Sequence, residues 1–563
     1  MKSNRFFAIA FLSVLLPLFL SAGGIDDIMP ISQIKPGMEG YGLTVFEGTE
    51  PERFNVKVIA VLPKALPKQD MILVELSGHG LEESGVVAGM SGSPIYIDGK
   101  IIGALAYAWG FSKKPIAGVT PIENMLKDLE HPLEPRNLYT EINERKVVKT
   151  PIGEMMPVMT PLMVSGVPQP VMGDLAVALE PYHLLPVRGG GSLSQEDSPP
   201  LKAGSAVGVS LVRGDIEMDA IGTVTYRLDD RILAFGHPFV NAGNIIFPMN
   251  GAKIFTVLPS IRISTKMGAS LSPVGAIVQD RTSGIFGKLG EPAPMVPVKI
   301  NILNARTGYK ENFNLEVAWE PILFLKLMDT VLKAGLTTAE PYLGENTLLA
   351  SIELLFEGYP PVKLNDTYYN TQGPYNPAML EKLIRLIFNP FEEVKIKSVD
   401  FNFTMSREIK LAVIQRIWSE KDRLKPGETT QLHVVLKLFN GEEKEYNVPV
   451  TAPYSANYGD KFLVGAIGGR EILPPKAPPV DFRGVIDYIT GLYQATDLVV
   501  VQQMPTVGAI TGGYYLDELP PSAARILAQD NDSASTLKQD LKFISVPTDW
   551  VISGRATLMI QVE

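Results

Sequence analysis

"GMSGSPIYIDGKIIGALAY", Gly89 to Tyr107, sets one Ser between two glycines and runs on into two short apolar strands. A Ser nucleophile needs exposure on a tight loop, a base within hydrogen-bond reach, and backbone N–H donors for an oxyanion. Gly89 and Gly92 bracket Ser91 and permit the unusual φ/ψ such a loop demands. The N–H groups of Gly89 and Ser91, two residues apart, can converge on one point as an oxyanion hole. Pro94 fixes the exit into "PIYI", and Asp98-Gly99 is the hairpin turn into "KIIGALAY". The plainer alternative is an ordinary Gly/Ser turn between strands.

Working outward, "RFNVKVIAVL" alternates Phe54, Val56 and Val58 on one face, the period of a strand. "TPIENMLKDLEH" (Thr120 to His131) predicts a helix with Thr120 as cap, Pro121 at its start and Glu123 at capping-box spacing. These elements define a Ser-bearing β-barrel half over residues 24–131. Residues 132–202 form a Pro-rich connecting segment, and "RGGGSLSQEDSPPLKAGS" (Arg188 to Ser205) reads as an exposed loop or linker. A second β-rich half spans 203–319 and contains "GTVTYRLDDRILAFGHPF" (Gly222 to Phe239), with "LDD" as a turn. A helical or mixed segment covers 320–394. Leu432, Val434, Leu436 and Leu438 then share one face of a β-sandwich-like, Ig-like module over 395–454, and a mixed α/β tail covers 455–563.

Composition bounds the rest. The chain has 563 residues, 45% hydrophobic and 20% charged, so large cores are affordable and global disorder is excluded. A net charge of −10 without any basic block argues against a nucleic-acid partner. Lys2 and Arg5, the apolar run Phe6–Leu20 and small Ser21, Ala22 and Gly23 predict a signal peptide over 1–23. The alternative is an uncleaved anchor. No later run is long enough to span a bilayer, so no integral membrane segment is expected after signal removal. The absence of Cys excludes disulfides, thiolate metal sites and a Cys nucleophile. With five scattered His and no H-E-x-x-H, neither a metal nor any other cofactor is expected.

The base for Ser91 must come from those His. His131 sits at a helix end, His183 in a Pro-flanked loop, and His433 on the outer face of the late sandwich. His79, the one His upstream of Ser91, lies in a Gly-flanked turn. His237 differs: "ILAFGHPF" is an apolar strand ending in Gly-His-Pro, so the imidazole emerges where a strand stops and a loop begins.

Two segments together resemble the SpoIVB family of serine endopeptidases, relatives of the chymotrypsin-like clan. "SGVVAGMSGSPIYIDGKIIGALAYAW…AGVTPIENML" is similar to the family's nucleophile region. "GTVTYRLDDRILAFGHPF" and "SPVGAIVQDRTSGIFGKLGEP" (Ser272 to Pro292) are similar to its His half. The resemblance implies Ser91 as nucleophile and His237 as general base. It also implies two departures. The family places its His half first, whereas here Ser91 precedes His237, an order a circular permutation would produce; triads are defined by geometry and not by chain order. The family's Asp just before the nucleophile loop is missing from "ILVELSGHG", where Glu75 and Ser77 lie nearest. Asp280, in "GAIVQDRTSG", is the candidate third member; Asp229 and Asp230 read as solvated turn residues. A Ser-His dyad helped by a backbone carbonyl is the alternative.

The expectation is a mainly β chain: two chymotrypsin-like β-barrel halves in permuted order, a helical segment, and a C-terminal β-sandwich-like module. Its expected function is an exported bacterial serine endopeptidase, periplasmic, envelope-bound or secreted, acting on polypeptide including its own chain. The alternative is an inactive protease-fold envelope protein that binds peptides or serves assembly.

Overall fold

The computed structural model describes residues 27–67, 69–130, 155–341, 344–454, 456–474, 478–511, 514–529 and 536–563. The expected signal peptide and His131 lie outside the described residues. Among the described residues, no helix is long and apolar enough to cross a membrane.

The N-terminal strands are β1 (Glu39–Thr44), β2 (Glu52–Leu66), β3 (Gln69–Ser77), β4 (Pro94–Ile97), β5 (Lys100–Trp109) and β6 (Ile116–Pro121). They pair in the order β4-β1-β2-β3-β6-β5, and a further β4–β5 pairing closes the ring. The expected alternation is visible in β2, where Phe54, Val56 and Val58 are buried between exposed Arg53, Asn55 and Lys57. Asp98 and Gly99 both have positive φ, the conformation a two-residue I′ turn requires.

A short strand, β7 (Met155–Pro157), adds to the edge of β5. Next come β8 (Thr160–Ser165), the helix Gln169–Leu179, and β9 (Leu184–Arg188). The second set is β10 (Ala206–Gly214), β11 (Glu217–Leu228), β12 (Arg231–Ala234), β13 (Gly243–Leu258), β14 (Thr265–Arg281) and β15 (Gly284–Leu289). Their order is β10-β13-β14-β15-β12-β11, and β10 also pairs with β11, so this ring closes as well. The molecule is thus mainly β, with both Ser91 and His237 carried by six-stranded barrels.

Past the second barrel, β16 (Val296–Asn304) and β17 (Lys310–Val317) extend its sheet rather than its ring, and β16 pairs in parallel with a strand at Ile396–Ser406. The helix Pro321–Ala339 packs its apolar face into the same core as the second barrel. A four-stranded sheet that includes residues 411–451 packs against a second sheet drawn largely from 461–562, and one core is shared by both. The sandwich therefore runs past residue 454 into what the sequence reads as a separate tail.

Two local expectations change. The helix begins at Ile122 with Pro121 at its cap and no side-chain capping bond. Thr120 is still part of β6, and its hydroxyl donates instead to the Gly236 carbonyl of the other barrel (2.7 Å), while Glu123 accepts from Ile31 N–H (2.9 Å). The Gly-rich loop at 188–205 is no free linker. Leu193 N–H donates to the Ser270 carbonyl (2.8 Å), and Gly251 N–H donates to the Ser198 hydroxyl (2.9 Å), pinning the loop to the second barrel. His433 keeps to the face opposite the core but is largely covered there: its ring stacks on Trp418 at 3.7 Å and Nδ1 meets Glu445 at 2.8 Å.

The barrels meet through backbone. A Cβ at Gly92 would fall 2.0 Å from the Thr223 carbonyl oxygen and 2.5 Å from the Phe235 nitrogen, and Gly92 has φ +92°. Both space and conformation require glycine. Gly92→Ala should therefore lower stability by about 4 kcal/mol, read from the urea midpoint of barrel unfolding. A loss below about 1 kcal/mol would show that the barrels do not need this contact.

Candidate functional site

Ser91 sits on a loop whose geometry is over-determined. Gly89 and Gly92 have φ of +94° and +92°, so the chain turns sharply on both sides of the Ser. The Gly92 N–H donates to the Leu105 carbonyl (2.8 Å), and Leu105 N–H donates to the Ser93 carbonyl (2.9 Å), which ties the loop to its own barrel. The second barrel holds the other side. Thr223 N–H donates to the Ser91 carbonyl (2.9 Å), the Thr223 hydroxyl to the Gly89 carbonyl (3.0 Å), and the Thr225 hydroxyl to the Gly92 carbonyl (2.7 Å).

His237 is presented by an equally constrained turn. Phe235 and Gly236 have φ of 70° and 71°. A left-handed Phe is uncommon, and its ring is held edge-on to Phe239 at 5.6 Å in the core. A Cβ at Gly236 would lie 2.9 Å from the Ala104 side chain and 3.1 Å from that of Ala106, both on β5. The Ser91 and His237 loops thus touch at Gly92–Phe235 and share β5 as a common support.

Ser91 and His237 are 0% and 1% exposed, and Ser91 Oγ and His237 Nε2 are both buried without a hydrogen-bond partner. Nδ1 of His237 lies 2.8 Å from the Pro238 carbonyl oxygen. A carbonyl can only accept, so this contact favours the tautomer with its proton on Nδ1 and its lone pair on Nε2. Burial pulls the imidazole down to about 4. The Pro238 carbonyl opposes this, like-charge repulsion from His183 adds to it, and the nearby Val158 carbonyl opposes it weakly.

Asp280 stands in the same region but does different work. One carboxylate oxygen accepts from Phe239 N–H (2.8 Å), the other from Val240 N–H (2.7 Å) and Ala242 N–H (3.1 Å). Its charge anchors the loop just after His237, and the atom facing Nδ1 is the Pro238 oxygen rather than a carboxylate. The expected oxyanion pair is also altered: Gly89 N–H donates to the Met159 carbonyl at 3.3 Å, so that donor is engaged in this state.

The remaining histidines stand in other settings. His79 stacks on Phe46 at 4.4 Å in a left-handed turn, and His183 ends a short 3₁₀ turn and is pulled down by burial. Asp229 and Asp230 are exposed turn residues, and Glu75 pairs with Lys114 at 2.8 Å.

Sequence reasoning missed Lys266. Fully buried on β14, it donates from Nζ to the Thr44 hydroxyl (2.6 Å), which lies 3.4 Å from the Thr223 hydroxyl. Its stem packs under Gly89, 3.2 Å from where a Cβ would be, and its own N–H donates to the Ala88 carbonyl (3.0 Å). Burial pulls its ammonium down to about 7. A lone Lys in "STKMGAS" carries no sequence signal for such a role. Thr223 and Thr225 had one: they alternate on one face of "GTVTYRL".

Two pH signatures follow. Between pH 6.5 and about 4, the unfolded chain binds a proton at residue 237 that the folded chain does not. Stability is therefore lost as pH falls through that window, by about 3 kcal/mol in all. His237→Gln should flatten this part of the urea-midpoint profile; an unchanged profile would mean the imidazole is not buried neutral. For Lys266, the unfolded chain holds the extra proton from 10.5 down to about 7. Any stability advantage of Lys266→Met over wild type should shrink by about 3 kcal/mol between pH 7 and pH 10. A difference independent of pH would contradict a neutral buried amine.

A family model described as SpoIVB peptidase S55 matches residues 26–126. Comparisons with curated proteins and with solved structures give no match. The matched span takes in all six strands of the first barrel, the Ser91 loop and most of the helix after β6. Over these residues the barrel that carries Ser91 is thus similar to the SpoIVB-type peptidases.

Proposed function

We propose that the chain is an exported serine endopeptidase in which Ser91 attacks the scissile carbonyl and His237 takes and returns the proton. The observation that carries this reading is the pair of orphaned atoms, Ser91 Oγ and the bare Nε2 of His237, on two loops in backbone contact. A buried hydroxyl and a buried ring nitrogen left unpaired are costly, and such sites are kept where chemistry uses them. In the reaction Oγ bonds to the carbonyl carbon, its proton passes to Nε2, and the leaving amine takes that proton as the acyl ester forms. Water then follows the same path in reverse.

The imidazolium formed in these steps is supported by the Pro238 carbonyl, not by a carboxylate. A neutral dipole stabilises it less than a full charge does, so a slower enzyme than one with a full triad is expected. Asp280 acts here as a positioning residue that fixes the turn bearing Pro238. Gly89 and Ser91 N–H groups receive the oxyanion once Met159 has left. Export rests on the apolar run Phe6–Leu20 behind Lys2 and Arg5.

Two observations favour a second reading. Ser91 is wholly buried and the Gly89 donor is occupied, as suits a protease fold retained for peptide binding or assembly.

A fluorophosphonate probe separates the two. Wild type should label at Ser91, while Ser91→Ala should abolish labelling and His237→Ala should slow it by about a thousandfold or more. Asp280→Asn should cost about tenfold in labelling rate and about 2 kcal/mol in stability, because an amide cannot accept from three N–H groups as a carboxylate does. Proteolysis that survives Ser91→Ala would refute the nucleophile.

A further inference from the structure

Residues 155–161 run along the edge of β5 and on past the Ser91 loop. β7 pairs antiparallel with the open edge of β5, with Tyr107 opposite Pro157, Ala108 opposite Met156 and Trp109 opposite Met155. The Val158 N–H then donates to the Ala106 carbonyl (2.8 Å), and Val158 is 3% exposed. One residue on, the Met159 carbonyl takes the Gly89 N–H, and Pro161 Cγ lies 3.2 Å from the point where a Gly89 Cβ would stand. Strand edge, Gly89 donor and nucleophile loop are all covered by one continuous stretch of the chain.

From this we infer that Met155–Met159 is a built-in blocking strand, which keeps the cleft closed and must leave before a polypeptide can pair with β5; the inference rests on the reading of Ser91 as nucleophile. Several features suit a strand made to leave. Its ladder part, β7, has only three residues, all half-buried. Pro157 has no N–H to give to the ladder. The bond from Gly89 N–H to Met159 is long at 3.3 Å. By contrast, β8 begins at Thr160 and is buried and paired with β11 and β9, so the movable part ends there. A short tethered strand competes with incoming peptide at high effective concentration, which holds the site shut without a tight contact.

The chain has no Cys, so a disulfide can be introduced cleanly. Ala108 and Met156 are directly opposed, and Cα atoms so placed lie roughly 4.5–5.5 Å apart, within disulfide range. In a Ser91→Ala background, Ala108→Cys with Met156→Cys is compared oxidised and reduced. The probe is a fluorescein-labelled peptide of sequence MMPVMT, the chain's own residues 155–160. The reduced chain should bind it at least about tenfold more tightly than the oxidised chain. Equal affinities, or binding by neither form, would overturn the blocking strand.

The same pair with Ser91 restored is then treated with the fluorophosphonate. Labelling of the reduced form should exceed that of the oxidised form by a similar factor; equal rates would count against the block. If no form labels while the peptide still discriminates, the catalytic reading fails and the blocking strand stands. Cleavage of the intact chain between Met159 and Thr160 would make the strand a substrate and also overturn the proposal. Val158→Gly, which removes the buried anchor without a new bond, should raise labelling about tenfold relative to wild type. No increase in a variant whose thermal unfolding remains cooperative would contradict the block.

Discussion

Everything in the site depends on two backbones lying in contact without a side chain between them. At Gly92 the Ser91 loop presses on Thr223 and Phe235 of the other barrel, and there is no room for a Cβ. From that contact follow the hydrogen bonds of Thr223 and Thr225 to the loop carbonyls. The same closeness sets Gly236 against Ala104 and Ala106, which brings the imidazole turn over β5. Rigid barrels supply the accuracy that a catalytic pair demands, and their meeting line supplies the place. Apolar residues on either side, such as Ile101, Met125, Leu233 and Phe286, seal this line against water.

Burial on that scale forces an unusual electrostatic arrangement. Charged groups lose their solvation at the interface, so His237 is held neutral well below its ordinary range and Lys266 gives up its proton far more readily than a surface lysine. Asp280 keeps its place by accepting three backbone N–H groups, the standard way to hold a carboxylate in a core. That commitment removes it from the imidazole, and a peptide carbonyl stands in its stead. The neutral partner favours the same tautomer as a carboxylate would, and that tautomer is what leaves Nε2 bare.

Local sequence carried the elements but not their meeting. The period-2 burial of β2, the Asp98-Gly99 turn and the glycines around Ser91 are all consequences of near-neighbour sterics, and near-neighbour sterics are legible in a string. His237 could be singled out because a strand that stops at Gly-His-Pro announces a presented side chain. The partners of Asp280 left no signal in the sequence, because they are backbone amides that look alike in any sequence. Lys266 was invisible for a related reason: in water its residue type belongs outside, and only the closed fold reveals that Thr44 and the underside of Gly89 surround it. Thr120 has the spacing of a cap, yet tertiary pairing keeps it in β6 and turns its hydroxyl toward Gly236.

Chain order, which geometry at the reacting atoms ignores, matters at the cleft itself. Here the barrel with Ser91 is made first, so the segment that enters the second barrel at β8 has to approach along the first barrel's rim. The rim it meets is the edge of β5 beyond Ala106 that faces away from β6, whose N–H and C=O groups an extended chain can satisfy. Met155–Pro157 takes those groups because it is tethered beside them, and its continuation through Met159 falls on the Gly89 amide. A polypeptide substrate would need the same groups in the same extended form. With the opposite barrel order the entering segment would be a different one, and nothing would oblige it to lie beside the Ser91 loop. The closed cleft is therefore a consequence of connectivity: the same two barrels, joined in this order, come with their own occupant.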